Sequence, residues 1–245
     1  MKYLLLVITQ FVALTAFSQI REKMVYSAKY SFVKGGEAEL IVEDTLYQGK
    51  ALTCYEVRGQ SVGMTKLFFD ARYLYETILD DKNVIPYFHL RDVKENRYKF
   101  RNETTFYYNE DSICSQKSGC RAVPHGMMDA ISLFAKLRQK GFVDTLKVGD
   151  KFDLNIYHAD KHFKMSSVYL GKETIKTKIG KKECYVISPT IDESKLVSDA
   201  DALKFYVSAD EDRIPVIMEL KLTIGKVSGE VISYTKYDAN GNVVK

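Results

Sequence analysis

Most of this chain alternates between apolar and polar residues with a period of two. Residues 24–34 show the pattern clearly, with aromatic or small apolar residues at the even positions from 26 to 32. Such alternation indicates half-buried strands, because successive side chains of a strand point to opposite faces. Turn signatures rich in Gly, Asp and Asn separate about a dozen such segments. The sequence therefore predicts a mainly β fold, one continuous domain of about a dozen antiparallel strands.

One long stretch departs from this pattern. Residues 123–142 are the only long segment whose apolar residues recur with a helical period. At about 100° per residue they form one broad apolar arc, which another element must cover. We therefore expect one amphipathic helix at about residues 127–140, inserted as a brace against the concave side of the sheet. Gly141 would end it, and its start lacks a capping residue, so Asp129 would favour the first turns through the helix dipole.

Arg138 falls within the apolar arc of this helix, about 20° from Met127 by the helical period. A buried guanidinium would need a carboxylate or several carbonyl groups as partners. Alternatively, a residue in the last turn reaches solvent or caps the final carbonyls. Arg138 is our candidate for a buried polar anchor, with an acidic residue from a surrounding strand as its expected partner.

Several local features are expected along the rest of the chain. Residues 35–36 are two glycines and predict the turn of the first hairpin. Residues 64–69 fit either a strand or a short helix. Residues 216–224 form the clearest strand pattern, turned by Gly225 into the last strand. Residues 192–201 are polar and acidic and predict a loop or a short helical turn.

The N-terminus resembles a secretory signal peptide. Residues 1–18 contain one early lysine, an apolar run and the ending Ala16-Phe17-Ser18, which is the pattern that signal peptidase recognises. The run is too short and interrupted for a membrane span of about 20 residues. We expect cleavage between Ser18 and Gln19, a single β-rich domain over residues 19–245, and a periplasmic or secreted location. No later segment predicts a transmembrane span.

The chain has four cysteines, and export would permit disulfides. Cys114 and Cys120 bracket a polar, Gly-containing loop, so we expect them to form a structural disulfide. Cys54 and Cys184 lie in strand-like, apolar segments, and either pair or are buried as small apolar residues.

The sequence offers little catalytic or metal-binding chemistry. His158, Asp160 and His162 are the nearest to a ligand cluster, and the two imidazoles could approach across a hairpin, but a third and a fourth zinc ligand are not evident. Exposed turn histidines are the alternative. The acidic residues between 199 and 212 match neither a calcium loop nor a defined glycosidase pair. We assign no catalytic, metal or cofactor-binding residues, expect no cofactor, and lean away from an enzyme.

Charge and composition narrow the class of partner. The formal net charge is +4, and basic and acidic residues interleave without a basic stripe, which argues against nucleic-acid binding. The 17 tyrosines and 13 phenylalanines suffice for a large core or for an aromatic binding surface.

Three segments resemble a bacterial exported family, domain of unknown function 3108. The block MMDAISLFAKLR is similar to that family's Asp-x-x-Ser stretch, and KKECYVISP to its strand ending in Pro. LKFYVSADEDRIPVIMELKLTIGKVSGEV is similar to its strand, acidic turn, Arg-x-Pro and closing hairpin. The resemblance covers roughly residues 24–235. It implies an exported, mainly β protein of barrel or roll shape, and it implies no activity.

Three functional hypotheses follow. The first is a non-enzymatic binding or carrier module of the cell envelope, whose aromatic concave face holds an apolar or amphipathic small molecule or lipid. The second is a periplasmic scaffold that binds an envelope protein, with the aromatic residues only filling the core. The third is a hydrolase. The interior discriminates between the first two, because a carrier needs an apolar cavity where a scaffold has a packed core.

Overall fold

In the computed structural model, residues 19–190 and 202–245 are described, and they contain one fifteen-stranded sheet. The leader predicted at residues 1–18 and the loop predicted at residues 192–201 lie outside this part of the chain. The strands are β1 (Gln19–Tyr30), β2 (Val33–Tyr47), β3 (Lys50–Ser61), β4 (Ala71–Asp80), β5 (Ile85–Glu95), β6 (Tyr98–Tyr107), β7 (Ser112–Ser115), β8 (Gly119–Ala122), β9 (Met128–Asp129), β10 (Lys151–His158), β11 (Lys161–Thr177), β12 (Gly180–Pro189), β13 (Leu203–Ser208), β14 (Pro215–Lys221) and β15 (Lys226–Lys236). The helices are α1 (Gly63–Phe68) and α2 (Ala130–Arg138), with 3₁₀ turns at Tyr108–Glu110 and Val143–Thr145.

The sheet follows the chain order almost without crossover. It runs from β8 back to β1 and continues from β15 back to β9, so the first and last strands are neighbours. All pairs are antiparallel except the short parallel pair of β9 with β10. The mainly β, barrel-like or roll-like prediction is confirmed, with fifteen strands where about a dozen were expected.

Backbone pairing does not close the sheet, but side chains bridge its two ends. Tyr157 of β10 places its hydroxyl 3.0 Å from the Thr104 hydroxyl and 3.3 Å from the Asn102 amide nitrogen, both on β6. In the β10–β11 turn, Asp160 accepts a hydrogen bond from Arg121 of β8 at 3.3 Å. These hydrogen bonds join the two ends of the curved sheet and give it the shape of a barrel.

Helix α2 lies in the interior and is shorter than predicted. Asp129 is its N-cap, and Oδ1 accepts hydrogen bonds from the backbone amides of Ile131 at 2.8 Å and Ser132 at 3.1 Å. The prediction that no capping residue precedes the helix was therefore wrong, because Met128 and Asp129 pair with β10 as strand β9 and do not form a helical turn. At the other end Gln139 is already extended, so the helix ends before Gly141. Its buried residues are Ile131, Ser132, Leu133, Ala135 and Leu137.

The first hairpin turns earlier than predicted. Its turn lies at Ser31 and Phe32, and Ser31 has a positive φ of 53°. Gly35 and Gly36 lie inside β2. A Cβ atom on Gly36 would lie 3.0 Å from the backbone carbonyl oxygen of Gln60 in β3, so glycine here permits a close approach between strands. The prediction was wrong because turns and close backbone contacts both select glycine.

For two other segments the structure decides between helix and strand or moves a strand boundary. Residues 63–68 form α1, which is the helical alternative for this segment. Strand β14 pairs with β15 only as far as Lys221, so Leu222 and Ile224 belong to the turn and not to the predicted strand. Within the described residues, neither helix has the length and apolar character needed to cross a membrane.

Candidate functional site

An apolar cavity of about 260 Å³ lies between α2 and the inner face of the sheet. The strands β1 to β3 form one wall and β13 to β15 form the other. The two walls are continuous, because β1 and β15 are neighbours in the sheet. Helix α2 contributes Ile131 and Phe134, and the Phe134 ring packs edge-on against Phe205 of β13. The strand residues that line the cavity are Tyr26, Ala28, Ala38, Leu40, Val57, Phe205, Tyr206, Val207, Pro215, Ile217, Met218, Val227, Ser228 and Gly229.

Small residues in register leave this space open. Ala28 of β1 pairs with Gly229 of β15 on one side and with Gly36 of β2 on the other. Directly paired residues share a face of the sheet, so the three lie in one row. A Cβ atom on Gly229 would meet no atom within 4 Å. The cavity exists because side chains are missing from this row where a packed barrel would place large ones.

The cavity opens towards the end of the sheet that carries the β1–β2 and β14–β15 turns. Met218, Val227 and Tyr30 lie near this opening and are 40–48% exposed. Tyr30 lies on the same face of β1 as Tyr26 and Ala28, because side chains two residues apart point the same way. An apolar strip therefore runs from the interior to the surface.

The N-terminus of α2 is anchored to the sheet by a buried polar network. Thr77 of β4 and His89 of β5 are directly paired, and Asp129 lies against both. The Thr77 hydroxyl donates to Asp129 Oδ1 at 2.7 Å and lies 2.9 Å from His89 Nδ1. Burial lowers the pKa of His89, with Asp129 opposing this shift and Arg91 adding to it.

This network contains the residue types of a hydrolase but serves as a helix cap. The Ser132 hydroxyl donates to Asp129 Oδ2, and the bonds of Asp129 Oδ1 go to the helix amides and Thr77. His89, Asp129 and Ser132 are all at most 3% exposed. A nucleophile needs access to substrate, and this serine is fully buried, with its hydroxyl bonded to the carboxylate that caps the helix.

Arg138 holds the other end of the helix. Its guanidinium forms an ion pair with Glu22 of β1, and its side chain is 9% exposed. Nε donates to the carbonyl oxygen of Arg213 at 3.0 Å, and Nη2 to that of Asp212 at 3.2 Å. The buried charge is thus compensated by one carboxylate and two carbonyl groups.

A larger, polar cleft of about 650 Å³ lies at this end of the sheet. Its charges are largely neutralised within the protein: Arg21 lies 3.1 Å from Asp81, and Arg138 pairs with Glu22. Asp212 bonds to both Lys236 and Lys245. A ligand here would have to break existing ion pairs, so the cleft is a weaker candidate than the apolar cavity.

The remaining sequence candidates lie away from the cavity. Cys114 and Cys120 are directly paired across β7 and β8, with their sulfur atoms bonded. Cys54 and Cys184 are both buried and free.

The structure separates the two histidines that the sequence placed in one cluster. His162 pairs with Tyr157, the neighbour of His158, so the two imidazoles point to opposite faces and do not meet across the hairpin. No group of three metal-ligating side chains occurs among the residues that the structure describes.

Sequence reasoning identified the aromatic strand Tyr26 to Phe32 but missed the cavity itself. The signal was the small residues Ala28, Gly36 and Gly229 at inward-facing positions. Their alignment depends on the pairing of β1 with β15, which are at opposite ends of the sequence.

Comparison with known proteins identifies the family. The family model described as a protein of unknown function, DUF3108, matches residues 25–232. A β-barrel-like protein of domain of unknown function DUF1849 from Brucella abortus superposes with a TM-score of 0.56 at 9% identity, covering 90% of this chain and 99% of that one. This identity supports a shared fold alone.

A DUF1089 family protein from Pseudomonas aeruginosa aligns over 90% of this chain and 88% of its own, at 9% identity, but its TM-score of 0.31 is too low to support an argument. No curated protein matches the sequence. Because the family model spans most of the chain, and the fold is the barrel-like one that the sequence resemblance implied, the chain belongs to the DUF3108 family, proteins of unknown function.

Proposed function

We propose that this protein is a non-enzymatic carrier or binding module of the cell envelope, which holds an apolar or amphipathic ligand. The observation behind this proposal is the apolar cavity under α2, with its opening between the β1–β2 and β14–β15 turns. An empty apolar cavity is unfavourable, because its lining loses packing contacts. A ligand that fills it would restore those contacts.

The size of the cavity limits the ligand. Ligand pockets usually measure about 300–1,000 Å³, so 260 Å³ suits a single alkyl chain or a small ring system. The lining is apolar, and the Tyr26 hydroxyl is already bonded to the Pro215 carbonyl oxygen at 2.9 Å. A polar head group would therefore stay at the opening, since burying it without partners costs free energy.

The proposed location is the periplasm or the exterior. The support is the leader pattern of residues 1–18 and the bonded pair Cys114 and Cys120. Disulfides persist in oxidising compartments and are rare in the cytosol.

The test is a substitution that fills the cavity. Gly229→Leu places a side chain where a Cβ meets open space, so we expect about a tenfold loss of uptake of a fluorescent fatty acid, with stability unchanged or increased. Ser233→Leu, on the same strand at an exposed position, is the matched control and should bind normally. Native mass spectrometry of protein purified without detergent would detect a retained ligand. Equal uptake by both variants, or no uptake by the unaltered protein, would count against the proposal.

A further inference from the structure

Large apolar side chains protrude from one end of the barrel. Phe32 in the β1–β2 turn is fully exposed, Phe68 of α1 is 80% exposed, and Ile224 in the β14–β15 turn is 78% exposed. Burying such side chains is favourable, and monomeric proteins rarely expose them as a group. We name this surface the apolar rim; its residues are Phe32, Val33, Met64, Leu67, Phe68 and Ile224.

The three segments of the apolar rim are held together by hydrogen bonds. The Tyr30 hydroxyl donates to the Ile224 carbonyl oxygen at 2.8 Å, and the Ser31 amide to the Lys226 carbonyl oxygen at 2.6 Å. On the other side, the Val62 amide donates to the Gly35 carbonyl oxygen at 3.0 Å, which places α1 beside β2. The rim is therefore one continuous surface at the end of the barrel.

The charged residues of these three segments are all basic. Residues 30–34, 63–69 and 221–227 contain four lysines and neither Asp nor Glu. Lys34 and Lys226 form ion pairs with Glu37 and Glu219, which lie further along the strands. The rim thus combines exposed aromatic and aliphatic side chains with lysines, of which the exposed Lys66 on α1 lies outside these two ion pairs.

We propose that the apolar rim docks onto the surface of an anionic lipid membrane. Apolar side chains beside lysines are the composition of segments that lie in the membrane interface, where the former enter the acyl boundary and the latter meet anionic head groups. A protein partner fits less well, because lysine is depleted in protein–protein interfaces. The fully exposed Phe32 also projects from a turn tip, which suits insertion into lipid.

This inference does not depend on the carrier function. The cavity opens at the same end, so docking would place its opening against the bilayer, but the rim would bind lipid with the cavity filled. The Gly229→Leu variant should therefore bind vesicles as well as the unaltered chain, which separates the two proposals.

The experiment is flotation of the purified protein with vesicles of phosphatidylcholine containing phosphatidylglycerol, after mass spectrometry has defined its N-terminus. Phe32→Ser/Phe68→Ser should lower vesicle binding by about tenfold or more. The control, Leu46→Ser/Val148→Ser, removes apolar side chains that are 51% and 73% exposed at the opposite end and should leave binding unchanged. Lys66→Glu should weaken binding to anionic vesicles, and so should high salt.

Three results would overturn the inference. The first is that the unaltered protein does not bind these vesicles. The second is that Phe32→Ser/Phe68→Ser binds them equally well, because binding would then depend on a segment other than the rim, such as an uncleaved leader. The third is concentration-dependent self-association that the same two substitutions abolish, without vesicle binding, because the rim would then be an interface between copies of this chain.

Discussion

At the scale of single residues, Arg138 and His89 show how polar groups are accommodated inside an apolar barrel. Arg138 remains charged because Glu22 and two carbonyl groups surround its guanidinium. Burial lowers the pKa of His89 and so favours its neutral form. Both hold α2 in place, Arg138 directly and His89 through Thr77 and Asp129.

Arg138→Met should destabilise the protein by about 3 kcal/mol, because it leaves the Glu22 carboxylate partly buried without its partner. The double variant Arg138→Met/Glu22→Gln should be less destabilised than the single one. Urea unfolding measures both. Lys140→Met breaks the exposed pair with Glu211 and should change stability little. An equal effect of Arg138→Met and Lys140→Met would contradict the anchoring role.

The lowered pKa of His89 predicts acid sensitivity. Below about pH 6.5 the unfolded chain takes up a proton at this residue more readily than the folded chain does, so stability falls as the pH falls, by up to about 1.4 kcal/mol per pH unit. The pKa of His158 shifts in the same direction through burial, Arg91 and His89. In urea unfolding between about pH 5 and 7, His89→Asn should reduce this slope, and the exposed control His162→Gln should not. An unchanged slope in His89→Asn would refute the assignment.

At the scale of elements, α2 depends on both of its ends. The helix has only nine residues, and isolated helices this short are marginal in water. Its stability therefore comes from packing inside the sheet, from the cap at Asp129 and from the anchor at Arg138.

Asp129→Ala should cost about 2–4 kcal/mol, the sum of a lost N-cap and of the Thr77 and Ser132 hydroxyls left without their acceptor. Asp129→Asn keeps a capping oxygen and should cost clearly less. Unfolding by urea compares the two. Equal losses would indicate that the negative charge, and not the cap, is what the helix requires.

At the scale of the whole molecule, the sheet closes by side chains instead of backbone pairing. The short hairpin β7–β8 forms one edge of the sheet and packs through Arg121 against the β10–β11 turn. The pair Cys114 and Cys120 lies within this hairpin, so the disulfide should rigidify the edge that completes the barrel.

Replacing both cysteines by serine should lower stability by about 2 kcal/mol, the loop-entropy value for so short a loop. Reduction should raise the mass of the intact protein by two hydrogens and lower its unfolding midpoint. The Cys114→Ser/Cys120→Ser variant is the control and should not respond to reductant. A protein whose mass is unaltered by reduction would show that the bond does not form.

The sequence by itself determined the mainly β class, the single interior helix and the family, because strand alternation, helical periodicity and short motifs are local properties. The helical periodicity also placed Arg138 within the apolar arc of this helix. It misplaced the first turn at Gly35 and Gly36, since glycine serves turns and close strand contacts alike.

Only the tertiary structure decided where the cavity and the apolar rim lie. Ala28 and Gly229 meet because the first strand pairs with the last, 201 residues apart in number, and neither small residue signals a cavity alone. The N-cap role of Asp129 depended on β9 pairing with β10, which interrupts the helical pattern. Such features arise from contacts between segments that are distant in the sequence, so a local sequence pattern does not predict them.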